Sequence, residues 1–211
     1  YSLQDLGWSS FFARQLDDET AQPFRVSEVH RSSVTAFSPE GSNRLLSPDH
    51  ETGAIAVGDW VLADGEFRVT SILERQTLLQ RRAAGHEVKP QLIAANVDTL
   101  FIVSSCNADF NIARLERYLA LANSAGSYPV VLLTKADMCD DPSEYQQQIE
   151  RLPMAPAVET INAKDPLEVK SAMNWVKPGQ TAAFVGSSGV GKTTLANGMT
   201  GGDDATASIR E

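Results

Sequence analysis

The stretch GSSGVGKTT, Gly186 to Thr194, constrains this chain more than any other, because its G-x-x-x-x-G-K-[ST] spacing stands between an apolar run, TAAFV, and a helical continuation, LANGMT. That is the setting of a phosphate-binding loop. Backbone N–H groups and the positive end of the following helix surround phosphates, a lysine adds a point charge, and the hydroxyl residue ligates a divalent cation. Gly186, Ser187, Ser188, Gly189, Val190, Gly191, Lys192, Thr193 and Thr194 are therefore the candidate phosphate site, with Thr193 the candidate Mg²⁺ ligand.

Domains of this kind usually open with that loop, yet seventeen residues follow Thr194 here. The sheet-building elements are expected before it. Reading backwards, TLFIVSS, PVVLLTKAD, APAVETIN and TAAFVG alternate with NIARLERYLALANSAG, SEYQQQIERL and PLEVKSAMNWV. Short β-branched runs between segments of helical period predict βαβ units and a parallel sheet. In the helix from Asn111, residues Ile112, Leu115, Leu119 and Ala122 follow the spacing that buries one face, and Arg114, Glu116 and Arg117 fall off it.

The run VVLLTKAD then acquires meaning. A strand ending in [NT]-K-x-D is a guanine reader: the carboxylate accepts hydrogen bonds from the ring N1–H and the exocyclic amine, a pair of donors adenine lacks. Thr134, Lys135 and Asp137 occupy those positions, with Lys135 expected on the flat face or ribose side of the nucleotide. Asn162, Ala163 and Lys164 follow the next strand and are expected to back the base. Thr134 stands where asparagine is more usual, so Thr134→Asn is expected to leave affinity unchanged or improve it. The order is base-reading strand, backing loop, phosphate loop: a circular permutation of the usual arrangement.

Residues of about 24 to 80 read as short strands, RVSEVHRSSVTAF, RLLSP, DWVLAD, FRVTSILE and TLLQRR, which predict a small Greek-key barrel such as an OB-fold. The formal charge of −9 argues against indiscriminate nucleic-acid binding but leaves room for a basic face. Arg31, Arg44, Arg75, Arg81, Arg82 and Lys89 fall in or beside the barrel, and Arg31, Arg44, Arg81 and Arg82 are the RNA-contact candidates. His30, His50 and His86 lack partner spacing, so no catalytic base is assigned. Cys106 and Cys139 end neighbouring strands without a C-x-x-C pair and read as reduced thiols. Trp60 and Trp175 read as packing residues, and SLQDLGWSSFFARQL as an amphipathic helix packed outside the barrel.

At this point the chain resembles the RsgA (YjeQ) family of ribosome-biogenesis GTPases. The resemblance is carried by AVGDWV, LLQRRAAGHEVKPQLIAANVDTLFIV, NADFNIARLERYL, TKAD and GSSGVGKTTL. It implies an N-terminal OB-fold, a permuted P-loop GTPase domain of α/β class, and a C-terminal zinc domain that these residues do not reach. The expected division is a helical segment over 1–20, an OB-fold RNA- and ribosome-binding domain over 21–92, and a GTPase domain over 93–211, incomplete after the phosphate-loop helix. The implied function is GTP binding and hydrolysis, with GTP or GDP and Mg²⁺ bound, in late maturation of the small ribosomal subunit, its rRNA the partner.

The alternative reading is an RNA-binding assembly module whose nucleotide site is a switch or a vestige. GGDDATASIRE carries no switch threonine and no D-x-x-G, so the 211-residue form is expected to be deficient in hydrolysis and, with TAAFV as a sheet edge, prone to association where the full-length protein is a monomer. No run of membrane-spanning length and no signal peptide is read, which fits a cytoplasmic protein without a membrane partner.

Overall fold

Alternation along QPFRVSEV decides both faces of the first strand: Phe24 and Val26 point into one apolar cluster, and Arg25 points the other way, its guanidinium 5.5 Å from the centre of the Trp60 ring. The computed structural model describes residues 1–16, 21–47, 52–82 and 90–202. The chain divides into two units, Tyr1–Val97 with Pro178–Thr181, and Asp98–Lys177 with Ala182–Glu211.

In the first unit, β1 (Gln22–Val29), β2 (Ser33–Ser38), β3 (Gly41–Leu46), β4 (Trp60–Ala63) and β5 (Val69–Ile72) form a sheet in the order β3-β2-β1-β4-β5. These neighbours are antiparallel. A parallel bridge between Leu46 and Arg68, with Leu46 N donating to Phe67 O at 2.8 Å, joins the two outer strands and closes the barrel. Closure removes the unpaired edges that such short strands would otherwise expose. β4 is buried at all four positions because each face has its own partner. Val61 and Ala63 join Phe24, Val34, Leu45 and Val69 inside the barrel, while Trp60 and Leu62 pack with Phe12 and Leu73 outside it. Each large side chain so buried contributes about 1.5–3 kcal/mol.

Three sequence expectations change here. RVSEVHRSSVTAF is two strands, β1 and β2, turning where His30 N donates to Ser33 O at 2.9 Å. TLLQRR leaves the barrel sheet: β6 (Leu78–Arg82) pairs with β7 (Pro90–Ala95) in a ladder of its own. Among the described residues of the N-terminal segment, α-helix covers α1 (Ser10–Ala13) alone, because Gly7 at φ +92° ends the preceding turn in a backbone region that breaks a helix. Trp8 nevertheless packs as expected, edge-on to Trp60 with ring centres 4.7 Å apart.

The second unit is built on β8 (Thr99–Ser105), buried at every position as a central parallel strand should be. The sheet runs β10-β9-β8-β11, with β9 (Tyr128–Thr134), β10 (Ala157–Thr160) and β11 (Ala182–Val185) all parallel to their neighbours. The intervening helices are α2 (Ile112–Ala125), α3 (Pro142–Glu150) and α4 (Pro166–Ala172), and α5 (Lys192–Thr200) follows β11. Side-chain oxygens of Asn111, Asp141 and Asp165 cap the first three by accepting from N–H groups of their first turns. Leu115, Leu119 and Ala122 of α2 are buried as their spacing predicts. Val169 and Ala172 of α4 and Leu195 of α5 join Phe101, Val103, Val130 and Leu132 of the sheet in one core.

Candidate nucleotide-binding site

Loops leaving the carboxyl ends of parallel strands are where such sheets bind ligands. Three of them meet in the second unit. The loop after β11 runs Gly186 to Gly191 into the N-terminus of α5, and its path depends on glycine. At Gly186, φ is +143° and a Cβ would stand 2.3 Å from the Val103 carbonyl oxygen, so the loop can lie directly on β8 only without a side chain there. Gly191, at φ +100°, precedes Lys192 as the N-cap of α5. Ser188, Gly189 and Thr193 are exposed, with Thr193 in the first turn of α5, while Val190 is buried in the core. Lys192 Nζ donates to the carbonyls of Gly186 and Ser187, 2.6 Å from each, which folds the ammonium back over its own loop.

The loop after β9 begins at Thr134, 1 % exposed, whose hydroxyl donates to Val190 O at 2.7 Å and lies 3.2 Å from Ser104 O. Lys135 takes a left-handed conformation, φ 58° and ψ 30°, and caps a one-turn 3-10 helix, Ala136–Met138. Asp137 on that turn is exposed, and among the described residues no hydrogen bond or ion pair occupies its carboxylate. Both oxygens are free to accept. The loop after β10 places Asn162, whose Oδ1 accepts from Lys164 N at 3.0 Å and whose N–H donates to Glu168 Oε2 at 2.6 Å. Gly191 is the meeting point: its missing Cβ would stand 3.7 Å from Ala163 Cβ and 3.8 Å from Thr134 Cγ2. Segments separate in sequence are therefore one constellation, with exposed backbone of the phosphate loop at one end and Asp137 at another.

Arg114 was not legible as part of it. Asn111 Oδ1 caps α2 by accepting from Arg114 N at 2.9 Å, and the Arg114 guanidinium donates to Ser187 Oγ. A second cation thus stands on the phosphate loop, contributed by a position that helical spacing assigns to the solvent side. Asn107 stiffens the approach to α2, accepting from Ser105 Oγ at 2.8 Å and from Asp109 N at 3.0 Å.

The four RNA candidates fall in two places in the first unit. Arg31 is exposed in the β1–β2 turn, and Arg44 on β3 donates to Ser33 Oγ at 3.1 Å beside it. Arg81 is exposed on β6, donating to Gln91 Oε1 at 2.8 Å, with Arg82 next along that strand. Arg75, also near the barrel, is committed to structure: it donates to both Asp59 oxygens at 2.7 Å and to Ala54 O at 2.6 Å. Hydrogen bonding to Asp59 raises its pKa, outweighing partial burial. His30 bonds locally to Thr35 and Glu28, and His50, His86 and Lys89 lie outside the described residues. Among the described residues no three or more His, Cys, Asp or Glu side chains converge to hold a metal ion, and no helix is long and apolar enough to cross a membrane.

A closed barrel and a parallel sheet whose G-x-x-x-x-G-K-T loop comes after its T-K-x-D loop define a circularly permuted P-loop domain of GTPase type with an OB-fold before it. The model of the RsgA GTPase family matches residues 72–211, and the chain belongs to that family. It is 50% identical to the small ribosomal subunit biogenesis GTPase RsgA of Mesorhizobium japonicum, over 100% of this chain and 63% of that protein. It is 43% identical to the RsgA 2 of Vibrio parahaemolyticus, over 99% of this chain and 59% of that one. The chain thus spans about three fifths of the length of these relatives. In fold it is similar to YjeQ from Thermotoga maritima, TM-score 0.66 at 21% identity over 90% of this chain and 67% of that one. YloQ, described as a circularly permuted GTPase, gives 0.59 at 19% identity, over 88% and 66%.

Proposed function

We propose that this chain is the guanine-nucleotide-binding part of a GTPase that acts in maturation of the small ribosomal subunit, in the cytoplasm. The observation that carries the nucleotide half is the convergence on Gly191: phosphate loop, base-reading loop and backing loop approach there so closely that one added methyl group on Gly191 would touch both of the others. The backbone from Ser187 to Thr194 and Lys192 would hold the phosphates, helped by the positive end of α5. Thr193, exposed in the first turn of α5, would hold Mg²⁺, which neutralises charge developing on the phosphates. Asp137 would take the N1–H and amine of guanine, Lys135 the face of the nucleotide, and Asn162, Ala163 and Lys164 would back the base.

The ribosomal half is supported by the names of the relatives and by a closed barrel of a kind that binds RNA. Arg31, Arg44, Arg81 and Arg82 are the proposed rRNA contacts. Taken as a polypeptide, the 211 residues hold a base reader and a phosphate cradle without a D-x-x-G segment to sense the γ-phosphate. They should bind GTP and GDP alike and release phosphate no faster than background. A phosphate-release assay with and without small ribosomal subunits tests this, and robust stimulated turnover by the 211-residue chain would overturn the hydrolysis part.

A further inference from the structure

Two cations grip one residue of the phosphate loop. Lys192 Nζ donates to the Ser187 carbonyl at 2.6 Å, and the Arg114 guanidinium donates to the Ser187 hydroxyl. One neutral hydroxyl satisfies only part of a guanidinium, whose N–H donors form a planar fork suited to two anionic oxygens. Carboxylates are plentiful in the sequence, 27 Asp and Glu against 18 Lys and Arg, yet among the described residues none pairs with Arg114.

The place of Arg114 in α2 adds to the imbalance. Asn111 is the N-cap, and Arg114 stands at the helical position where a capping box would carry Glu or Gln. The partial positive charge of a helix N-terminus favours anions and opposes a cation, and neither α2 nor α5 has an acidic residue in its first turn. Positive charge is therefore concentrated along the loop, and a bound anion is what offsets it. The lysine of such a loop reaches the terminal phosphates, so Arg114, on the same serine, stands at that end.

We propose that Arg114 is a phosphate-contacting residue of this site: with a nucleotide bound, its guanidinium donates to oxygens of the β-phosphate beside Lys192. This rests on the guanine-nucleotide reading above and adds to it a residue from a helix that carries no motif. GDP and GTP both hold a β-phosphate, so the contact serves both alike. Two N–H groups of the fork can meet two phosphate oxygens at once, a geometry that a lysine at this position lacks.

The experiment compares the unsubstituted 211-residue chain with Arg114→Gln, Arg114→Lys and Ser187→Ala, by calorimetry with GDP at several salt concentrations and by melting without nucleotide. Arg114→Gln should weaken GDP at least about tenfold, the loss of a charge-assisted contact, and should flatten the fall of GDP affinity with salt. Its melting temperature should stay the same or rise, because a cation leaves the positive end of a helix. Arg114→Lys, which keeps the charge and loses the fork, should recover part of the affinity. Ser187→Ala, which keeps the guanidinium, should lose less than Arg114→Gln. Unchanged GDP affinity in Arg114→Gln would overturn the proposal and leave the guanine site standing. Equal losses in Arg114→Gln and Ser187→Ala, or a loss with a lower melting temperature and an unchanged salt dependence, would also overturn it, since Arg114 would then be a brace for the loop. No GDP binding by the unsubstituted chain would overturn the guanine site, and this contact with it.

Discussion

The Thr134 hydroxyl donates to the Val190 carbonyl at 2.7 Å, so the first residue of the base-reading loop carries the backbone of the phosphate loop 56 residues further along the chain. The loops proposed to read the base and to hold the phosphates share one buried hydrogen bond. Thr134→Val keeps the branched shape and removes the donor, leaving a buried carbonyl unpartnered at a cost of about 1–2 kcal/mol. GTP and GDP should both weaken by roughly tenfold, with guanine still preferred over adenine. Titration calorimetry with a parallel melting curve checks this; unchanged affinity would mean that the brace is dispensable.

Asp137→Asn should exchange guanine for xanthine. Xanthine keeps the N1–H and presents a carbonyl where guanine has its amine, so an amide offering one acceptor and one donor matches it. GDP binding should lose about 2–4 kcal/mol while XDP gains. Competition between the two nucleotides reads the outcome, and equal weakening of both would remove Asp137 from the base edge.

The sequence made the second unit more legible than the first, for a physical reason. A phosphate loop needs its glycines, lysine and hydroxyl at fixed spacing, and a guanine reader needs its carboxylate at a strand end, so both announce themselves locally. Bonds between distant residues leave no such mark. By sequence Thr134 is a shortened asparagine and Arg114 a solvent-side helix residue; only the fold sets the Thr134 hydroxyl between Val190 and Ser104 and the Arg114 guanidinium on Ser187. In the barrel, the β1–β2 turn at His30–Ser32 contains neither glycine nor proline, so two strands read as one. TLLQRR has the pattern of any short strand, and pattern says nothing of which sheet takes it.

Arg75 and Asp59 make the first unit sensitive to one charge. Asp59 is 0 % exposed and its second oxygen also accepts from Ala56 N at 2.8 Å. Arg75→Ala would leave that carboxylate buried without its counter-ion, and the barrel should lose about 3 kcal/mol. Denaturant unfolding followed by tryptophan fluorescence measures it, since Trp60 packs in the same unit. A loss below about 1 kcal/mol would show that Asp59 finds another partner or water.

RNA binding by the first unit should be salt-sensitive and should depend on β6, in the ladder beside the barrel sheet. Neutralising Arg81 and Arg82 together should flatten the slope of log affinity against log salt by about 0.7 to 0.9 for each phosphate that the pair no longer neutralises. Titration with small-subunit rRNA at several salt concentrations supplies the slope. No change would move the RNA-binding face to Arg31 and Arg44 or away from the barrel.

Titration calorimetry of the 211-residue chain with GDP and with ADP, both in Mg²⁺, tests the central claim most directly. GDP should bind at one site per chain, and ADP should bind at least about a hundredfold more weakly, because Asp137 finds no paired donors on adenine. ADP binding as tight as GDP, or no binding of either, would contradict a guanine-nucleotide site built from the loops that meet at Gly191.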